Sequence, residues 1–241
     1  MRTILITGFG RFPGSAVNPS GLVAMRLARR RRPAFAATRR IAHVFATRYD
    51  AVDRELPALL AKEKPDIVVM FGVATRARQV RVEQRARNRT ALLPDAGGHR
   101  PPAPTIAPRR EAIRNPLPIA RLIGAARTAG VAASASRNAG TYLCNYVYWR
   151  GLEAAAQPGG PGLVIFIHVP PICFKAMPNR SFGRLFKRLS ERLRQRPSHG
   201  RRARRRPAPR LIDLVGAGEA IVLAMISLAA GRQNQRRSNT L

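Results

Sequence analysis

Two five-residue runs, Ile67-Val-Val-Met-Phe71 and Leu163-Val-Ile-Phe-Ile167, are apolar at every position. A strand with one solvated face alternates apolar and polar residues, so a strand without alternation is buried on both faces, and helices must cover both sides of its sheet. The rest of the 241 residues fits that demand, because strand signals recur with helical stretches between them, the pattern of a mostly parallel α/β sheet. Thr3 to Thr7 is predicted as the first strand, Leu22 to Arg31 as a helix and Arg40 to Ala46 as the second strand. Ala51 to Glu63 carries Val52, Leu56, Leu59 and Leu60 at helical spacing, and Lys64-Pro65-Asp66 ends it.

Val80 to Ala86 alternates and reads as an edge or antiparallel strand, and residues 94–110, with five prolines, read as loop. Pro118 to Thr128 is predicted helical, Val131 to Ser134 a short strand, and Tyr142 to Ala156 a helix. Gly159-Gly-Pro-Gly162 then turns the chain into the second apolar run, which ends at His168. Phe182 to Arg196 is basic and amphipathic, and Leu211 to Ala230 closes the fold as a docking helix. The domain reading is a core of residues 1–171, an Arg-rich insert at 172–210, a completing helix at 211–231 and a basic polar tail at 232–241.

Charge is the one strong anomaly. Lys and Arg number 44 against 12 Asp and Glu, a formal charge of +32, where a compact domain ordinarily carries about 2 to 8. From Cys173 to Arg210 there are 14 Lys and Arg against the single Glu191. This stretch is suited to nonspecific contact with nucleic acid at low salt. No aromatic residue is interleaved from Arg188 to Arg210, so it lacks a stacking platform for single strands. Only Lys62, Lys64, Lys175 and Lys187 are lysines, which points to arginine-rich codon usage rather than selection for phosphate binding.

Neither a signal peptide nor a membrane span is apparent, and the expected compartment is the cytoplasm. Two cysteines exclude a disulfide scaffold, and with four scattered histidines they exclude a close-set zinc module. Gly8-Phe-Gly10 follows a strand but has Pro13 at the third glycine position, so a dinucleotide fingerprint fails.

In α/β sheets reactive groups collect where strands end and helices begin. Cys144 sits at the first turn of a helix, where free amides favour a thiolate, and His168 sits at the carboxyl end of a strand. A cysteine and a histidine so placed are a candidate nucleophile and base, and equally a packed thiol and a core imidazole. Cys173 has no motif around it.

Four ordered stretches carry a resemblance: Thr7-Gly-Phe-Gly-Arg-Phe12 with Asn18-Pro-Ser20, Glu83 with Asn88, Ala139-Gly-Thr-Tyr-Leu-Cys-Asn145, and Phe166-Ile-His-Val-Pro170. Together they resemble the pyroglutamyl peptidase type I (pyrrolidone-carboxylate peptidase) family of cysteine peptidases. The likeness covers residues 1–171 and resumes at the last helix. It implies a three-layer α/β/α sandwich of the phosphorylase/hydrolase-like kind, and removal of N-terminal pyroglutamate from peptides with neither metal nor organic cofactor. It also implies a Cys144–His168–Glu83 triad, with Cys144 forming a thioester. Phe9 and Phe12 would flank the lactam ring, Asn18 would hydrogen-bond the substrate, and the backbone around Gly72 and Val73 would meet the lactam. The partners implied are pyroglutamyl peptides, with no membrane, and a homo-oligomer is compatible with the sequence.

The chain also departs from that family. Arg11 stands at the usual proline, and Gly72-Val-Ala-Thr-Arg-Ala77 lacks two glycines of the pocket wall. An arginine expected just before Leu92-Leu-Pro-Asp95 is absent there, with Arg89 as a substitute. Two rival readings therefore stay open: a relative whose pocket is inactive or redirected to another amide or to binding, and an arginine-rich nucleic-acid binder on an enzyme's scaffold.

Overall fold

The computed structural model of the protein describes residues 1–12, 17–101, 103–108, 111–172 and 208–238. Most of the Arg-rich stretch, with Cys173, the 182–196 helix and the nucleic-acid reading, lies outside the described residues.

The strands are β1 (Arg2–Phe9), β2 (Thr38–Phe45), β3 (Ile67–Val73), β4 (Val80–Glu83), β5 (Arg85–Arg87), β6 (Ala112–Arg114), β7 (Ala133–Ser136) and β8 (Leu163–Val169). The helices are α1 (Pro19–Ala28), α2 (Tyr49–Glu63), α3 (Ile119–Thr128), α4 (Leu143–Ala155) and α5 (Leu211–Ser238). Six strands form one sheet in the order β2-β1-β3-β8-β4-β7, and β5 pairs with β6 in a separate ribbon. β1, β2, β3 and β8 run parallel; β4 runs antiparallel to β8 and parallel to β7. The two apolar runs, β3 and β8, are neighbours at the centre of the sheet.

Alternate residues of each central strand enter two separate cores. Ile67, Val69 and Phe71 of β3, with Ile165 and Ile167 of β8, pack with residues of α1, α3 and α5. Val68 and Met70, with Val164 and Phe166, pack with residues of α2 and α4. This is the three-layer α/β/α sandwich. At about 25 cal/mol per Å² of apolar surface, two filled interfaces supply the main driving force for a chain with so much uncompensated charge.

Local chemistry sets the element ends. α1 starts three residues before the predicted Leu22, because the Asn18 side chain accepts from Ser20 N and Pro19 fits the first helical turn. A Cβ on Gly8 would lie 2.5 Å from the Ser20 carbonyl oxygen, so β1 and the start of α1 touch through backbone. Lys64 ends α2 in the left-handed region at φ 41°.

The Val80–Ala86 stretch is antiparallel to β8, one of the two expected alternatives, but only Val80–Glu83 joins the main sheet, between β8 and β7, and the chain then leaves it to form β5. The alternation records one apolar face, which an interior strand near the sheet's end also has. β5 and β6 were not expected, since three charged or mixed residues give no period to read. The last helix continues beyond Ala230 to Ser238, into the stretch read as tail. Its segment Leu211–Gln235 is by length and composition apolar enough to cross a membrane. Here Leu214, Val215, Ala217, Ile221, Val222 and Met225 of that helix are core residues.

Candidate active site

The site lies where β8 and β4 run antiparallel, beside the N-terminus of α4. His168 is the penultimate residue of β8. Its neighbours Ile167 and Val169 face the α1, α3 and α5 core, whereas Phe166 faces α4, so strand alternation turns His168 to the α4 side. Val80 and Val82 of β4 face the same core as Ile167, which leaves Arg81 and Glu83 on the His168 side.

Glu83, fully buried, holds Oε1 2.8 Å from His168 Nδ1. Its Oε2 has no hydrogen-bond partner among the described residues. Tyr148, inside α4, donates its hydroxyl to the Glu83 carbonyl oxygen at 2.8 Å and accepts from Asn115 Nδ2 at 2.8 Å. The backbone that carries the carboxylate is thus fixed from the helix behind it. Burial raises the Tyr148 phenol above its ordinary pKa, keeping it a neutral donor.

Cys144 is the second residue of α4, and its sulfur lies against Gly72, the register partner of His168, so that thiol and imidazole interact. Burial alone would depress the imidazole's pKa; the hydrogen bonds to Cys144 and Glu83 and the charges of both overcome it and raise the pKa from 6.5 to about 9. Tyr142 makes no capping bond, and among the described residues no side chain accepts from the first-turn amides of α4 beside Cys144.

Gly72 explains why the sulfur fits. It pairs in register with His168, and a Cβ built on it would lie 2.7 Å from Cys144 Sγ and 2.7 Å from the Phe166 ring. The Phe166 ring in turn stands edge-on to His168, centroids 4.9 Å apart. Val73, the next residue, is half-buried at the end of β3.

The remaining residues expected to bind substrate are placed less simply. Phe9 is buried with Phe45 in the core that also includes Tyr142 and Cys144. Phe12 is half-buried. Asn18 has both side-chain atoms engaged within the protein: Oδ1 accepts from Ser20 N and Oγ, and Nδ2 donates to the Gly10 carbonyl. Arg89 is exposed and forms no ion pair with the described residues.

Three positions were missed from sequence. Asn145, adjacent to Cys144 and fully buried, accepts from Arg87 N at 2.8 Å and donates to the carbonyls of Arg87 and Arg89 at 2.7 and 3.0 Å. It fastens the β5 segment to the start of α4, and its place in the cysteine motif was the available signal. Tyr49 and Tyr142 stack edge-on at 5.9 Å, and Tyr49, buried, has a hydroxyl with no partner among the described residues. Burial, with lesser contributions from nearby charges that include Cys144, raises the pKa of both phenols.

A cavity of about 590 Å³ lined by Arg2, Lys64, Asp66, Gly160 and Arg232 lies at the opposite end of the sheet and contains none of these groups. No cluster of three or more His, Cys, Asp or Glu suited to a metal occurs among the described residues.

Comparison with known proteins adds an independent line. The family model described as pyroglutamyl peptidase matches residues 2–185. A pyrrolidone-carboxylate peptidase of Cupriavidus pinatubonensis is 35% identical over 174 residues, covering 70% of this chain and 79% of the relative. One from Thermococcus onnurineus is 33% identical over 176 residues, covering 72% and 86%. Among solved structures, a mutant pyrrolidone carboxyl peptidase from Pyrococcus furiosus superposes with a TM-score of 0.74 at 25% identity, covering 94% of this chain and 99% of that one. Pyroglutamyl peptidase I of Bacillus amyloliquefaciens gives 0.71 at 24% identity, covering 93% and 96%, a likeness of fold.

Proposed function

The chain belongs to the pyroglutamyl peptidase family, and on that premise we propose that it is a cytoplasmic cysteine exopeptidase that hydrolyses the amide bond after an N-terminal pyroglutamate through Cys144, His168 and Glu83. The observation that carries the reading is the Glu83 carboxylate bonded to His168, with the Cys144 sulfur at the start of α4 against Gly72, the register partner of that histidine.

In this mechanism the Cys144 thiol gives its proton to His168, and the sulfur attacks the carbonyl carbon of the pyroglutamyl residue. The carbonyl oxygen, now carrying negative charge, is met by the free amides of the first turn of α4 and by the positive end of that helix. His168 then protonates the departing amine, the C–N bond breaks, and a thioester remains on Cys144. Water, deprotonated by His168, attacks the thioester; pyroglutamate leaves and the thiol is regenerated. Glu83 holds Nδ1–H of the imidazole, so that the other ring nitrogen faces the sulfur, and it stabilises the imidazolium formed in both halves of the cycle.

Phe9, Phe12 and the backbone at Gly72 and Val73 form the acyl pocket in this reading. A pocket built for a neutral lactam rejects an ordinary protonated amino terminus, since that charge would be buried without a partner. The test is release of a fluorescent amine from a pyroglutamyl amide under reducing conditions. Turnover by the wild type and none by Cys144→Ala or His168→Ala supports the assignment. A folded wild type inert on this substrate but active on another N-acyl amide would instead identify a redirected acyl pocket, in keeping with Arg11 and Thr75-Arg76 at the altered pocket positions.

A further inference from the structure

Arg81 is the Cα partner of His168 across the antiparallel β4–β8 pair. Residues directly opposite in such a pair lie on one face with side chains about 5 Å apart at Cβ. Arg81 therefore flanks the imidazole on the same face as Glu83. The loop that joins β3 to β4 folds over the end of β8, with Ala74 N donating to the Val169 carbonyl and Ala77 buried beneath it. That loop leaves Arg76 and Arg78 exposed at the same end of the sheet.

None of these three arginines forms an ion pair or a side-chain hydrogen bond among the described residues. Elsewhere the chain uses its arginines differently. Arg30 and Arg32 pair with Glu219, Arg39 with Glu63, and Arg40 donates to the carbonyls of Ala28, Arg30 and Phe35. The carboxylates close to the site are engaged: Glu83 by His168, and Asp95 by the amides of Tyr49, Gly97 and His99. Arg81 thus presents positive charge beside the imidazole that must protonate the leaving amine, and Arg76 and Arg78 add charge at the same end of the sheet, none of the three paired with an anion among the described residues.

We propose that Arg76, Arg78 and Arg81 form the leaving-group side of the site and select pyroglutamyl peptides whose following residues are acidic. This deepens the peptidase reading above and rests on it. A carboxylate placed just after the scissile bond would meet Arg81 and the loop arginines. It would also relieve the repulsion between Arg81 and the imidazolium formed during reaction, so part of the preference falls on the chemical step as well as on binding.

The test compares kcat/KM for three pyroglutamyl peptides of equal length that differ only in having Glu, Gln or Lys after pyroglutamate. The expected order is Glu, Gln, Lys, with an end-to-end ratio on the order of tenfold for two or three partly solvated charge pairs. The ratio should shrink toward one in 1 M salt, where the screening length is about 3 Å. Arg81→Gln should reduce it, and Arg76→Glu with Arg78→Glu, both on the exposed loop, should invert it even if Arg81→Gln folds poorly. Arg29→Gln, on an exposed position at the far end of α1, removes the same charge and should change nothing. Equal cleavage of the Glu and Lys peptides at low salt overturns the inference while leaving the peptidase standing. A preference that persists in the loop variants and falls equally with Arg29→Gln assigns it to the overall +32 and also overturns it. Cleavage of none of the three peptides overturns the peptidase reading itself.

Discussion

Glu83 Oε1 stands 2.8 Å from His168 Nδ1, between residues 85 positions apart in the chain. The contact exists because β4 runs antiparallel to β8, which brings the end of one strand alongside the other. Glu83→Gln keeps the size of the side chain and removes its charge. It is expected to fold and to lower kcat by about 10² to 10⁴, the range associated with a positioned general acid or base. A thermal melt beside the kinetics separates this from a folding defect.

The pH dependence of stability follows from the imidazole. Its folded pKa is raised from 6.5 to about 9, so its stabilising contribution is fully present below about pH 6.5 and is lost as pH rises through about 9. Melting temperature between pH 6 and 10 should fall through that window in the wild type. In Cys144→Ala, which lacks one of the two partners that raise the pKa, the fall should begin at lower pH. Identical profiles for the two proteins would mean that the sulfur does not hold the proton on His168.

Gly72→Ala tests the packing of the sulfur. The added methyl would stand 2.7 Å from Cys144 Sγ and the same distance from the Phe166 ring, so one of them must move. A shift of about 1 Å in a reacting atom can cost on the order of 100-fold in rate, and overpacking costs about 1 to 3 kcal/mol. Loss of thiol alkylation rate and of hydrolysis together is the expected result; unchanged kinetics would place Gly72 outside the site.

Tyr148→Phe removes a hydroxyl that bonds both the Glu83 carbonyl and Asn115 Nδ2. Leaving the buried Glu83 carbonyl without that donor should destabilise the protein by about 1 to 3 kcal/mol. Urea denaturation measures that loss. Activity should fall by less than in Glu83→Gln, because the carboxylate itself is retained.

Much of this architecture was legible because it is repeated along the chain. The unbroken apolar runs at 67–71 and 163–167 required a two-sided sheet, and they are its central strands. The places of Cys144 and His168 at a helix start and a strand end fitted a reactive pair or packed groups alike, and it was the likeness of the surrounding residues to a family, matched by the family model, that singled them out. What escaped depends on contacts between distant segments. That β4 is interior is a property of the pairing partners, not of Val80-Arg-Val-Glu83 itself. The roles of Asn115, Tyr148 and Tyr49 arise only when β6, α4 and α2 are brought together. Asn18 shows the converse, since its cap of α1 is written in Asn18-Pro19-Ser20 itself.

The most direct measurement is the covalent intermediate. Enzyme mixed with excess pyroglutamyl amide, acid-quenched within the first turnover and digested, should yield the peptide containing Cys144 with one added pyroglutamyl group. Cys144→Ala should show neither the adduct nor amine release, and a Cys173→Ala variant should show both. Full amine release by Cys144→Ala, or an adduct found on Cys173 instead, would contradict the assignment of Cys144 as the nucleophile.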